Sequence, residues 1–162
     1  MKNTWVRPAE SIETIVHKYG NMLFRLCLIT LGNVSDAEDV VQETMIKYLQ
    51  KAPVFENEQH EKAWLIKVAT NKCRDMLRYR NNHPLVDVEE IVELTKDTND
   101  SDIIDALMTL PERYRIVLVL YYVEEYSVKE IAGFLGKSTS AIKMRLQKGR
   151  RMLKETYRKE YM

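Results

Sequence analysis

Apolar residues recur at three- and four-residue spacings along most of this chain, and the strict alternation of a half-buried strand is missing. The spacing predicts a first helix over about Ile12 to Leu31. A second begins at Ser35, where Ser35-Asp36-Ala37-Glu38 has capping-box spacing, and runs to about Lys51. A third covers about Glu61 to Arg80 and stops at Asn81-Asn82-His83-Pro84, because proline disfavours helix in the residue before it. Residues 87–102 are acidic and lack aromatics, which reads as a linker holding at most a short helical piece. After Pro111 a second set follows: Glu112 to Tyr122, Val128 to Leu135, and Ser140 to about Tyr157. The expected fold is all-α, two small helical domains joined by an acidic linker, with boundaries at residues 10–83, 84–103 and 104–160. Each domain alone is too small to bury much surface.

The second domain contains a helix-turn-helix pattern. Ser127 to Leu135 is a short amphipathic helix ending at Gly136, a residue able to take the left-handed conformation of a tight turn. Ala132 is small enough for another helix to cross closely. Lys137-Ser138-Thr139-Ser140 supplies capping hydroxyls for the long helix that follows. On it Ile142, Leu146, Gly149 and Leu153 form one core stripe. Ser138, Thr139 and Ser140 lead the opposite side, which continues through Lys143, Met144, Gln147, Lys148 and Arg151. A helix set into a major groove has this layout: leading residues meet base edges and later basic ones meet phosphates. The competing reading is a basic, solvated helix of an ordinary bundle.

In the first domain, Lys67, Asn71, Arg74 and Arg78 share one face of the third helix, opposite Leu65, Val68, Ala69, Cys73 and Met76. Trp64 sits at the margin. An aromatic beside basic residues is how single-stranded nucleic acid is held, with bases stacked and phosphates neutralised; a core anchor is the equal alternative for Trp64. On the second helix Ala37, Val40, Val41, Thr44 and Tyr48 face inward. Asp39, Gln42, Glu43 and Ile46 face out, as a docking surface for a basic partner helix would.

Charge sharpens this picture. The 162 residues carry 25 basic and 24 acidic side chains, yet residues 87–106 hold a net −7 and residues 107–162 a net +6. Seven basic residues and no acidic one lie between Lys137 and Lys154, behind a turn of suitable chemistry, which favours DNA as the partner. Cys27 and Cys73 fit no disulfide framework or zinc spacing and read as buried small hydrophobes. His17, His60 and His83 are scattered without metal-ligand or nucleophile-base grouping, and no phosphate-binding glycine loop is present. An enzyme is therefore not expected, nor a cofactor. The start of the chain lacks a signal-peptide apolar stretch and no run reaches bilayer length, so a cytoplasmic protein without membrane insertion is expected.

Three segments together resemble the extracytoplasmic-function (ECF) group of bacterial RNA polymerase sigma factors. Asp36-Ala37-Glu38-Asp39-Val40-Val41-Gln42-Glu43 resembles the helix that docks on the polymerase clamp. Residues 63–78 resemble the promoter-melting and −10 recognition helix. Leu110-Pro111-Glu112-Arg113-Tyr114-Arg115 with the helix-turn-helix resembles region four, which reads the −35 element. The resemblance implies polymerase contacts through Asp36, Asp39, Gln42, Glu43 and Ile46. It further implies −10 contacts and melting through Phe55, Trp64, Lys67, Asn71, Arg74 and Arg78, and a flipped base read under a loop at about Glu56 to Glu61. The −35 element would be read by the helix-turn-helix face, from Ser138 to Arg151. Ala141 and Met144 stand where the family usually has hydroxyl residues. Implied partners are the clamp and flap of core RNA polymerase, promoter DNA and an anti-sigma factor. A self-sufficient helix-turn-helix repressor or activator is the alternative; it would need a dimer interface, and neither a heptad stretch nor a spare apolar helix supplies one.

Overall fold

The computed structural model describes residues 12–79 and 101–161. Helix α1 (Ile12–Leu31) ends at Gly32, whose φ of 68° lets its N–H turn back to the Leu28 carbonyl at 2.8 Å. Helix α2 (Val34–Lys51) follows at once. Its cap is Asn33 rather than Ser35: the Asn33 side chain accepts from the Asp36 N–H at 2.9 Å. Helix α3 (Glu58–Tyr79) starts a turn earlier than the periodicity predicts, because Asn57 Oδ1 accepts the His60 N–H at 2.8 Å. The expected stop at Asn81 to Pro84 and most of the acidic linker lie outside the described residues. Leu23, Leu26, Leu28, Val40, Leu65 and Ile66 interlock α1, α2 and α3 and are fully buried.

The second domain opens with α4 (Ser101–Met108), so helix begins before the point where the sequence places the end of the linker. The segment expected as one helix from Glu112 to Tyr122 divides into α5 (Glu112–Leu118) and a π-helical turn, Val119–Val123. Arg115 on α5 is buried, and its Nη1 donates to the Met108 carbonyl at 3.3 Å, tying α5 to the end of α4. Helix α6 (Val128–Leu135) opens on a full capping box. The Glu130 N–H donates to Ser127 Oγ at 3.1 Å, and the Ser127 N–H donates to Glu130 Oε1 at 3.2 Å. The Ser127 N–H above all, with Gln59 Nε2 also donating to the carboxylate, holds the Glu130 carboxyl below its ordinary range. Gly136 ends α6 with φ 64°, the left-handed turn expected of it. Helix α7 (Thr139–Tyr161) buries Ile142 and Leu146 against α5 and α6. Gly149 is where α7 crosses Leu118 and Tyr114; a Cβ there would lie 3.2 Å from Leu118 Cδ1.

The two domains pack against each other. Helix α6 lies along α3, and α5 touches α1. Arg25 on α1 forks onto Glu124, Gln59 Nε2 donates to Glu130 Oε2 at 3.0 Å, and the Lys62 ammonium sits 4.7 Å above the Tyr126 ring. Burial first, then the Glu124 and Glu130 carboxylates, push the Tyr126 hydroxyl up to about 12. Domains too small to bury much surface alone gain a shared seam. No helix among the described residues is long and apolar enough to cross a membrane.

Candidate nucleic-acid interface

Helix α7 meets solvent with the face expected to meet DNA. Ser138, Thr139, Ser140, Lys143, Met144, Gln147, Lys148 and Arg151 are all exposed, Met144 at 69%. Ser138 serves as the cap: its Oγ accepts the Ala141 N–H at 3.1 Å, which fixes the first turn that would enter a groove. Beside this row a hollow of about 440 Å³ is lined by Tyr114, Ala141, Met144, Arg145, Gln147 and Lys148. The Arg113 guanidinium and the Lys148 ammonium lie 4.6 and 5.6 Å from the Tyr114 ring. Hydrogen bonding to Arg113 is the main force lowering the Tyr114 hydroxyl's pKa.

On α3, Lys67, Asn71 and Arg78 are exposed and Arg74 is half-buried, all on the face opposite Leu65, Ala69 and Cys73. Arg145, half-buried on α7 beside its exposed row, feels charge from both domains. Burial first, then the guanidiniums of Arg74 and Arg113, press the Arg145 pKa downward. This influence of Arg74 on Arg145 is invisible in the spacing of either helix.

Phe55 departs from the expectation of a DNA contact. It is fully buried, stacked on Tyr48 at 6.1 Å and 17°, with the Trp64 ring edge-on at 5.9 Å. A large apolar ring in the loop after α2 is drawn inward because the core offers two aromatic partners there. Trp64 also leans on Tyr48, 6.1 Å away, and keeps only part of its surface outside, so it anchors the core while bordering the basic row.

Beneath these rings lies a group that the sequence pattern does not reveal. Glu61, expected where the loop from about Glu56 meets the start of the third helix, is fully buried in the first turn of α3. It accepts the Tyr48 hydroxyl at 2.6 Å and the Tyr19 hydroxyl at 3.0 Å. Burial, then Glu61, raise the Tyr19 pKa. One carboxylate thus joins α1, α2 and α3 under the loop. Asp39, Gln42, Glu43 and Ile46 are exposed on α2, Asp36 is partly so, and Leu49 and Val54 extend the apolar patch. Glu43 also takes Lys72 Nζ at 3.3 Å.

Two further observations concern chemistry. Cys27 and Cys73 are buried free thiols, and hydrogen bonding between them, then burial, holds the Cys27 pKa well above its ordinary range. Among the described residues no group of His, Cys, Asp and Glu could hold a metal ion. Elsewhere on the second domain Leu107, Leu118, Val119, Tyr122, Leu153 and Tyr157, together with Arg150 and Lys154, line a largely apolar groove of about 500 Å³.

Residues 15–83 match sigma-70 region 2, and residues 100–153 match sigma-70 region 4. RNA polymerase sigma factor SigV of Bacillus subtilis (strain 168) is 29% identical over 151 residues, covering 91% of each chain. The ECF RNA polymerase sigma factor SigW of the same strain is 30% identical over 168 residues, covering 92% of this chain and 90% of the relative. Among solved structures, CnrH in complex with the cytosolic domain of CnrY has a TM-score of 0.71 at 24% identity, covering 92% of this chain and 88% of that one. The sigma factor RpoE of Bartonella quintana, in complex with the anti-sigma factor NepR, has a TM-score of 0.70 at 20% identity, covering 91% and 97%. These two share the all-helical fold. The chain belongs to the ECF RNA polymerase sigma factors.

Proposed function

We propose that α7 reads the −35 element and α3 the −10 element, while α2 docks on the polymerase clamp. The observation that carries the first assignment is the exposed row that begins at Ser138 and continues through Lys143, Met144, Gln147, Lys148 and Arg151, led by a capped turn and backed by the Ile142–Leu146 core. Lys143, Lys148 and Arg151 would neutralise phosphates, and Ser140, Met144 and Gln147 would face base edges. On α3, Lys67, Arg74 and Arg78 would hold the backbone of separated strands. Trp64 would border the base extruded over residues 56–61, since a stacked base hides its pairing edge. The chain performs no reaction of its own: binding energy for unpaired bases drives strand separation. The apolar groove at Leu118 and Tyr122 fits the flap contact.

Packed together as they are, the two rows cannot read both elements. Elements named for positions −35 and −10 are about 85 Å apart along B-form DNA at 3.4 Å per base pair. The stretch numbered 80–100, fully extended, reaches about 70 Å. The domains therefore separate on polymerase, each reaching its own element. RpoE of Bartonella quintana was captured with the anti-sigma factor NepR and CnrH with the cytosolic domain of CnrY, and the first of these supports an anti-sigma factor as a partner here.

Run-off transcription with core polymerase tests the assignment. Replacing Lys143 and Arg151 by alanine is expected to weaken initiation about equally at every −35 sequence, because phosphate contacts carry no sequence information, and replacing Lys67 and Arg74 to reduce opening of the −10 region. Unchanged initiation in both double variants refutes it. Palindrome-dependent gel shifts without polymerase would instead favour a free-standing regulator.

A further inference from the structure

The segment between α2 and α3 is held by one imidazole. The Glu56 N–H donates to His60 Nδ1 at 3.1 Å, while the His60 N–H donates to Asn57 Oδ1 at 2.8 Å and the Glu61 N–H to the Asn57 carbonyl at 3.2 Å. The His60 ring stands edge-on to Phe55, with centroids 5.2 Å apart and planes at 87°. Phe55 is itself fixed on Tyr48, and Tyr48 on Glu61. The imidazole is exposed on its other side. It thus links the loop backbone at Glu56 to the buried aromatic group, and it does so as an acceptor: Nδ1 carries no proton in this bond, which places the ring proton on Nε2.

We infer that His60 is a positioning residue for base selection at the −10 element, setting the backbone of the loop through Glu56. This rests on the reading of residues 56–61, which are the end of the α2–α3 connection and the first turn of α3, as the base-selecting segment. Discrimination between bases depends on donors and acceptors held to within a few tenths of an ångström. Glu56 lies at the open end of this loop, where its N–H is oriented by an imidazole braced on Phe55. Without the acceptor the Glu56 peptide is free to rotate, and the loop would accept several bases about equally. A residue that merely capped α3 would behave differently, because its loss would weaken every promoter alike.

The test uses the full chain with core polymerase and a pool of linear templates randomised across both elements, with transcripts sequenced. Three variants separate the possibilities. His60→Asn places Oδ1 where Nδ1 stands and retains the acceptor. His60→Leu keeps apolar contact with Phe55 and removes the acceptor, and His60→Ala removes both. The expected result is that the alanine and leucine variants lose about fivefold of the preference at a −10 position, the equivalent of one neutral hydrogen bond. The −35 preference should stay intact, and the asparagine variant should stay within about twofold of the parent, less than half that bond's worth. Scalar coupling across the Glu56 N–H···Nδ1 bond, seen by nitrogen NMR in the parent, gives an independent signature. A parent preference that survives His60→Ala overturns this inference alone. So does equal loss at both elements, or absence of the coupling. A parent chain without preference at any −10 position overturns the base-reading assignment, and this inference with it.

Discussion

The guanidinium of Arg25 grips both carboxylate oxygens of Glu124 across 99 residues of sequence, with Nε at 2.9 Å and Nη2 at 3.0 Å. The Glu124 side chain is 6% exposed and that of Arg25 34%, so the fork closes the domain seam from a largely dry position. Such a pair lies between a solvated ion pair and a buried one, and is expected to contribute about 1–2 kcal/mol to the packed arrangement. Arg25→Ala should increase the radius measured by small-angle X-ray scattering. A double-mutant cycle with Glu124→Ala should return a coupling of that size; zero coupling and an unchanged radius would refute the role.

Alkaline pH should loosen the same seam through Tyr126. Its hydroxyl is raised from 10.0 to about 12 in the folded chain. The unfolded state therefore releases its proton first, and stability present in full below about pH 10 is lost as pH climbs towards 12. Tyr19, raised in the same direction, adds to the slope. Thermal unfolding followed over the alkaline range should show a shallower decline for Tyr126→Phe than for the parent. Identical slopes would show that the Tyr126 hydroxyl is not responsible.

Glu61 should be among the most sensitive positions of the first domain. Glu61→Ala strands the Tyr19 and Tyr48 hydroxyls in the core, at an expected cost of about 2–4 kcal/mol in urea unfolding. Glu61→Gln keeps one oxygen acceptor and should cost less. Alanine and glutamine variants of equal stability would mean that the two hydroxyl bonds contribute little.

The sequence made part of this legible, and the limits are physical. Gly136, the Ile142–Leu146 stripe and the two faces of α3 depend on local periodicity and backbone sterics, which any isolated segment carries. Asn33 and Ser35 are both capping residues two positions apart, and only the way α1 delivers the chain into α2 chooses between them. Phe55 follows Pro53 and Val54, and no local pattern around it announces burial, since its partners Tyr48 and Trp64 come from two helices. The same holds for Glu61, whose hydroxyl partners are 42 and 13 residues away. The domain seam and the meeting of Cys27 with Cys73 are tertiary facts, outside the reach of spacing.

Gly149 sets how closely α7 approaches α5. A single added methyl would meet Leu118 Cδ1 at 3.2 Å and Tyr114 Cβ at 3.4 Å. Helix propensity favours alanine by about 1 kcal/mol, so Gly149→Ala is expected to fall near neutral. Gly149→Leu forces the helices apart and should destabilise by about 1–3 kcal/mol. Chemical denaturation of both variants checks this, and a tolerated leucine would show that the crossing has slack.

The cluster formed by Arg74, Arg113 and Arg145 makes the free molecule a poor electrostatic neighbour to itself, with Glu112 as a nearby counterweight. A phosphate arriving there would quench that crowding. The contacts that hold the junction, Arg25 with Glu124, Gln59 with Glu130 and Lys62 with Tyr126, use other side chains, so an anion seated at this cluster favours the packed arrangement by relieving its repulsion.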